Sequence, residues 1–352
     1  MIISSMMPEG MHMTRLTLLR IAAIVLVLAM TATTQAAILK IATLSPDGSS
    51  WMQKMREGAD KVATATENRV RFKFYPGGVM GNDQAVLRKI RIGQLQGGAF
   101  TGGALSGHYT DAQIYAMPLK FRSLEEVDYV RRQMDPVIQE GLEKNGFVTF
   151  GLADGGGFAY IMSNQPVDTV ASLQPLKVWI PAHDKMVLEA MKGFGIDPIS
   201  LPIADVRTGL QTGLIDTAAT TPYGAIVLQW HTQVKYLTTL PMVYIYGILA
   251  IDKKAFARIA PDDQALVRQI MTQAWREMDA MNREQNVEAL KALQKQGIQF
   301  IDPPPEIKAH WYEVAASVHQ KIMDGGHITP AMAEMLDRHL NDYRSRQART
   351  HD

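Results

Sequence analysis

Residues 72–106 read FKFYPGGVMGNDQAVLRKIRIGQLQGGAFTGGALS, and the punctuation of this stretch decides the fold class. Val70 to Tyr75 alternates as a strand does, and Pro76-Gly77-Gly78 closes it. Gly81-Asn82-Asp83 then starts a helix over 83–92, with Val86, Leu87 and Ile90 on its inner face. Gln96 to Thr101 follows as a strand of small residues. Upstream, Ile38 to Leu44 is a first strand, Ser45-Pro46-Asp47-Gly48 a turn, and Ser49 or Ser50 caps a helix that buries Trp51, Met55, Ala59 and Val62. Strand, helix, strand, helix, strand in that order implies parallel pairing through crossovers, the doubly wound α/β class. The run Gly97-Gly98-Ala99-Phe100-Thr101-Gly102-Gly103 suits either a backbone that approaches a ligand or one packed tightly against its neighbours.

The same reading extends to the remaining chain. Ser123 and Glu126 predict a capping box for a helix through Met134. Gly146 to Leu152 reads as a strand broken by Asp154-Gly155-Gly156-Gly157. Leu176 to Ile180 is a strand stopped by Pro181, and helices over 184–194 and 205–212 end at Gly195 and Gly213. Ile215 to Ala219 and Val243 to Ile251 are strands, the second long enough to cross between two lobes. Pro261 opens a long helical stretch through Gln294, and helices over 306–323 and 330–344 complete the chain.

The N-terminus carries a secretory pattern. Arg15 and Arg20 flank the apolar run Ile21 to Met30, and small residues follow through Ala37. A signal peptide is expected over residues 1–36, and the run is short for a membrane span. The length beyond it exceeds what one core comfortably fills, so two lobes are expected. Lys and Arg total 36 against 35 Asp and Glu, a net charge of +1, which gives no concentrated basic face for nucleic acid. There is no cysteine, so disulfides and thiolate metal sites are excluded.

No Gly-x-Ser-x-Gly elbow, His-Glu-x-x-His pair or phosphate loop occurs. The histidines do not recur at metal-ligand spacing, so no histidine metal pair is implied, and no cofactor is expected. His310 and His319 read as surface residues of a helix. His183 lies between the strand-ending Pro181 and a helix, where open α/β sheets face their crevice; ligand contact and a plain turn role both fit it. Asp184 beside it is the best acid–base pairing an exported hydrolase or isomerase would find here.

Several of these blocks together resemble the solute-binding proteins of TRAP transporters, the DctP family. They are 72–106, the segment Met117-Pro118-Leu119-Lys120-Phe121-Arg122-Ser123-Leu124-Glu125-Glu126, the stretch PVDTVASLQPLKVWIPAHDKMVLEAMKGFGIDPISLPIADVRTGLQTGLIDTAATTP over 166–222, and Lys235-Tyr236-Leu237. The resemblance covers nearly all of the chain after the leader. It implies a periplasmic receptor with a two-lobed α/β fold, a ligand cleft between the lobes and a long helix spanning them. Lobe I is expected over 37–160 plus about 246–290, and lobe II over 161–245 plus about 291–352. It further implies a small organic acid as ligand, delivery to membrane permease subunits, no membrane insertion after signal cleavage, and no enzymatic turnover.

The resemblance also marks departures. Family members usually place an arginine in a Leu-Lys-x-Arg-x-Pro strand, where it forks onto a carboxylate. The matching position here is Trp179, and Ala159 stands where many members carry a second arginine. An indole offers one N–H and a large apolar face. Three ligand types therefore stay open: an apolar or aromatic solute stacked on Trp179, Phe158 and Trp51; a cation held on aromatic faces; or an acid met by another group such as Arg207 or a bound metal ion. Arg207 also fits a solvated helix position. Thr101, Pro181, His183, Thr221, Tyr223 and Trp230 complete the expected ligand set. A periplasmic sensor or scavenger for an apolar ligand is the alternative within the same fold.

Overall fold

The computed structural model describes residues 36–351, so the expected leader lies, but for Ala36, outside the described residues. Strand β1 (Ala37–Thr43) leads into α1 (Ser50–Ala65), whose first turn is capped by Ser49 Oγ accepting from Met52 N. Strand β2 (Val70–Tyr75) returns parallel to β1. Helix α2 (Asp83–Arg91), capped by Asn82 on Ala85 N, leads to β3 (Gly97–Thr101), which pairs parallel with the other side of β1. This is the crossover arrangement that the punctuation of 72–106 predicts. A short turn α3 (Gly102–Leu105) follows directly.

Helix α4 (Leu124–Lys144) begins at the Ser123 cap and runs past the expected end at Met134, straight through Pro136. An internal proline costs about 3 kcal/mol. The buried stripe Val127, Val130, Met134, Ile138 and Leu142 continues on both sides of it, and each such side chain recovers about 1.5–3 kcal/mol on burial. Strand β4 (Phe147–Val148) is brief. Strand β5 (Leu152–Ser163) runs through Asp154–Gly157, the segment expected to break it. The glycines form a bulge within the strand: the register with the later strand β10 (Val243–Asp252) jumps from Gly157↔Ile245 to Asp154↔Tyr246. Gly156 and Gly157 take φ of +103° and +86°, a region only glycine enters easily.

Beyond β5 come α5 (Val170–Leu173), β6 (Trp179–Pro181), α6 (Lys185–Gly193), β7 (Ile199–Leu201), α7 (Val206–Thr212), β8 (Thr217–Thr220), α8 (Pro222–Val227) and β9 (Tyr236–Thr238). Strands β6 and β7 form a small parallel pair of their own. Strand β10 (Val243–Asp252) then runs antiparallel to β3, β4 and β5. After α9 (Lys253–Phe256), the single helix α10 (Pro261–Lys295) extends 35 residues, about 52 Å at 1.5 Å per residue. Strand β11 (Gln299–Ile301), α11 (Pro305–Asp324) and α12 (Pro330–His351) end the chain.

The architecture is α/β and two-lobed. The main sheet follows the order β11-β9-β5-β10-β3-β1-β2. Its two regions meet in β5, which pairs with β10 through its first half and with β8 and β9 through its second. Helix α10 packs along β5, α1 and α8 and so touches elements of both regions. Helix α12 folds back on α4, where Arg344 Nε donates to Glu126 Oε1 at 2.7 Å. Among the described residues no helix is long and apolar enough to cross a membrane, and no group of three or more candidate metal ligands occurs.

Candidate functional site

A cavity of about 240 Å3 opens where the ends of β1 and β3 face the loop between β8 and α8. One wall is Thr43 to Pro46, Ser49, Trp51, Asp83, Ala99, Phe100 and Thr101. Ile203, Thr220, Thr221, Tyr223, Gly224, Val227 and Leu228 form the other. Gly155, Ile245, Tyr246, Gly247 and Asn282 lie along the crossing strands and helix between them. A narrow extension of about 50 Å3 shares Leu44, Asp83, Thr101 and Ile203 and adds Asn82, Gln84, Gly103, Ala104, Pro181, Ala182, His183, Asp184 and Pro202. The parallel strands end here, which is where open α/β sheets bind ligands.

The walls are held by local chemistry. Thr221 caps α8 by accepting from Gly224 N at 3.1 Å, and its hydroxyl donates to Gly155 O at 3.2 Å. Asn286 Oδ1 accepts from Tyr223 N at 3.0 Å, which ties α8 to α10. Ser50 Oγ donates to Gln285 Oε1 at 2.7 Å. A hydroxyl has one proton to give, so the 2.6 Å contact between Ser50 Oγ and Tyr223 Oη has tyrosine as donor. This bond links the two walls. At the narrow end Asp184 Oδ1 caps α6 through Val187 N, and a Cβ placed on Gly103 would sit 2.4 Å from Asp184 Oδ2. The walls approach this closely only because residue 103 has no side chain.

The glycines of β3 and α3 serve packing. A Cβ on Gly97 would meet Ala250 O at 2.6 Å, and one on Gly102 would meet Ala112 O at 2.2 Å. Of the two roles open from the sequence, close backbone packing is the one these contacts support.

Trp51, Thr101, Pro181, His183, Thr221 and Tyr223 line the cavity or its extension. Phe158, Trp179, Arg207 and Trp230 are not among the lining residues. Trp179 is 7 % exposed, packs edge-on against Trp230 with ring centroids 5.1 Å apart, and donates its indole N–H to Leu201 O at 2.9 Å. Both tryptophans belong to the core of Val206, Leu210, Ile215 and Leu237. Phe158 is buried against Tyr244. Arg207 is exposed on α7. His319, expected at the surface, is half-buried instead: its Nε2–H donates to Pro118 O at 2.7 Å, and burial pushes its pKa down to about 4.

Sequence reasoning did not single out Asp83 or Asn282. Burial pushes the Asp83 carboxyl up to about 6. Its signal was available, since it follows the Asn82 cap at a helix start beside strand ends. Tyr246 also borders the cavity, but it is buried: its hydroxyl donates to Ala112 O at 2.5 Å and its ring stacks on Tyr244 in the core. Asn282 reaches the cavity from the middle of α10, and no local pattern marks it.

The family model for bacterial extracellular solute-binding protein, family 7, matches residues 41–325. The chain is 24% identical over 277 residues to the C4-dicarboxylate-binding periplasmic protein of Rhodobacter capsulatus, covering 77% of this chain and 81% of that one. It is 27% identical over 214 residues to the 2,3-diketo-L-gulonate-binding periplasmic protein of Escherichia coli K12, covering 59% of this chain and 64% of that one. The fold matches a TRAP periplasmic solute-binding protein from Xanthobacter autotrophicus Py2 with bound beta-D-galacturonate. That match has a TM-score of 0.78 at 19% identity and covers 86% of this chain and 99% of the other.

Proposed function

Because the chain belongs to the bacterial extracellular solute-binding proteins of family 7, we propose that it is the extracytoplasmic receptor of a TRAP-type secondary transporter. It captures a small organic solute and hands it to membrane permease subunits. The observation that carries this reading is the 240 Å3 cavity at the strand ends, walled from both sides and bridged by Ser50 and Tyr223. In this reading residues 1–36 are an export leader and the protein works in the periplasm. Residues 37–160 with about 246–290 form one lobe, and 161–245 with about 291–352 the other. Helix α12 then reaches back to clasp the first lobe at Glu126. Ligand binding energy closes the lobes about β5 and β10, and no bond is made or broken in the solute.

The relatives above are named for, or hold, carboxylate solutes, and the size of such molecules suits this cavity. Their charge does not carry over as directly, since the arginine positions expected from the family are Trp179 and Ala159 here.

A solute that binds only the folded state raises its stability by about 2.7 kcal/mol at a hundredfold excess over Kd. Screening the mature protein by melting temperature against small organic solutes is therefore expected to find compounds that raise Tm and are recovered unchanged. Consumption of the bound compound, or no response across the screen, would refute the receptor reading.

A further inference from the structure

The cavity carries charge of one sign. Neither lysine nor arginine is among the residues lining it or its narrow extension, while Asp83 and Asp184 both are. His183, exposed at the narrow end, is the lining residue able to gain a positive charge. The two carboxylates differ in how they are used. Asp184 caps α6. Asp83 is the first residue of α2, but the cap there is Asn82, and the Asp83 carboxylate has no hydrogen-bond or ion-pair partner among the described residues.

A second observation points the same way. Asn282 is 2 % exposed and lines the cavity. Its Nδ2 donates to Asp154 O at 2.5 Å, which fixes the amide orientation, and its Oδ1 is left buried without a donor. Unpaired buried acceptors are costly, so a site that keeps one is prepared for a ligand that donates. Trp51 Nε1 is the complementary case, a buried donor with no acceptor. The aromatic residues Trp51 and Tyr223 also line the cavity.

An anionic solute would meet an unpaired carboxylate and no guanidinium or ammonium. A cationic nitrogen would meet the Asp83 carboxylate, donate to Asn282 Oδ1 and lie beside the aromatic residues Trp51 and Tyr223, a residue type that attracts positive charge. We infer that the solute held in this cavity bears a positively charged nitrogen set against Asp83 and Asn282, with an acceptor group on the same molecule placed for Trp51 Nε1. The class is small amines carrying a hydroxyl, carbonyl or carboxylate, zwitterions included. The inference rests on the reading of this cavity as the solute site.

The test is a melting-shift and calorimetric comparison of the mature protein with hydroxylated amines and amino-acid zwitterions, nitrogen-free carboxylates, and neutral sugars. Members of the first group are expected to raise Tm, and Asp83→Asn to weaken their binding at least tenfold. Asn82 still caps α2 in that variant, and the wild-type comparison decides the charge class even if the variant is unstable. Binding confined to nitrogen-free carboxylates or neutral sugars would overturn the inference and leave the receptor reading standing. Amine binding untouched by both Asp83→Asn and Asn282→Leu would overturn the placement. No binding in any group would count against both.

Discussion

Trp179 shows how a residue's place in a sequence pattern and its place in space separate. The resemblance in sequence led to the expectation that it touches the ligand, and its neighbour Pro181 does line the narrow end of the cavity. Its own ring turns into the core, because the indole fills space against Trp230 and its N–H finds Leu201 O. A guanidinium could not rest there, since a buried unpaired charge is far more costly than a buried indole. Truncating such a ring to alanine costs about 3–5 kcal/mol, whereas phenylalanine loses mainly the hydrogen bond, about 1 kcal/mol. Trp179→Ala is therefore expected to lower Tm strongly. Trp179→Phe should lower it slightly and leave the Kd of the true solute within about twofold. A large loss of affinity in Trp179→Phe, with stability near that of the parent, would place this residue in the ligand site after all.

At the scale of elements, the order of strands and helices was legible wherever a periodic run met a turn residue. The segment from β1 to β3 emerged from Pro76-Gly77-Gly78, Asn82 and the small residues of β3, with ends within a residue or two. Legibility failed where tertiary contacts outweigh local signals. The glycines after Asp154 read as a break and the Ser123-capped helix is expected only through Met134, yet β5 runs through those glycines and α4 runs on past Pro136. The glycines are held by Asp154, whose Oδ1 accepts from Gly156 N at 2.7 Å and also from Gly157 N. Its Oδ2 accepts from Arg283 Nε at 2.7 Å, and Arg283 forks onto both oxygens of Asp128 on α4. The bulge is thus clamped by residues 128 and 283, distant in sequence and invisible to any local window. The cavity was half legible for the same reason: Trp51, Thr101, Thr221 and Tyr223 sit at strand ends or helix starts, whereas Asn282 arrives from mid-helix. Asp154 is fully buried, so removing its cation leaves a buried charge, a loss of about 3–5 kcal/mol. Arg283→Leu is expected to unfold at correspondingly lower denaturant with an unchanged m-value. Wild-type stability in that variant would show that the amide N–H groups of Gly156 and Gly157 suffice for Asp154.

For the whole molecule, function depends on how much of the closed arrangement exists before the solute arrives. The walls of the cavity are joined by the Tyr223 to Ser50 hydrogen bond, and Ser50 is itself fixed by Gln285 on α10. One such bond contributes about 0.5–1.5 kcal/mol net. That is small beside the stability of a lobe and large beside a balance between open and closed forms, where it changes the population ratio by about two- to tenfold. The affinity of a site that is complete only when closed scales with that closed fraction. Tyr223→Phe keeps the ring on the cavity wall and removes only the hydroxyl. It should therefore weaken solute binding by about two- to tenfold and barely move Tm. Solution scattering should show a larger radius of gyration without solute, converging on the parent value when saturated. Ser50→Ala should do the same, and the double variant should add little, because both remove the same bond. Equal affinity and equal scattering in parent and Tyr223→Phe would mean that closure is governed by the solute and the strands alone.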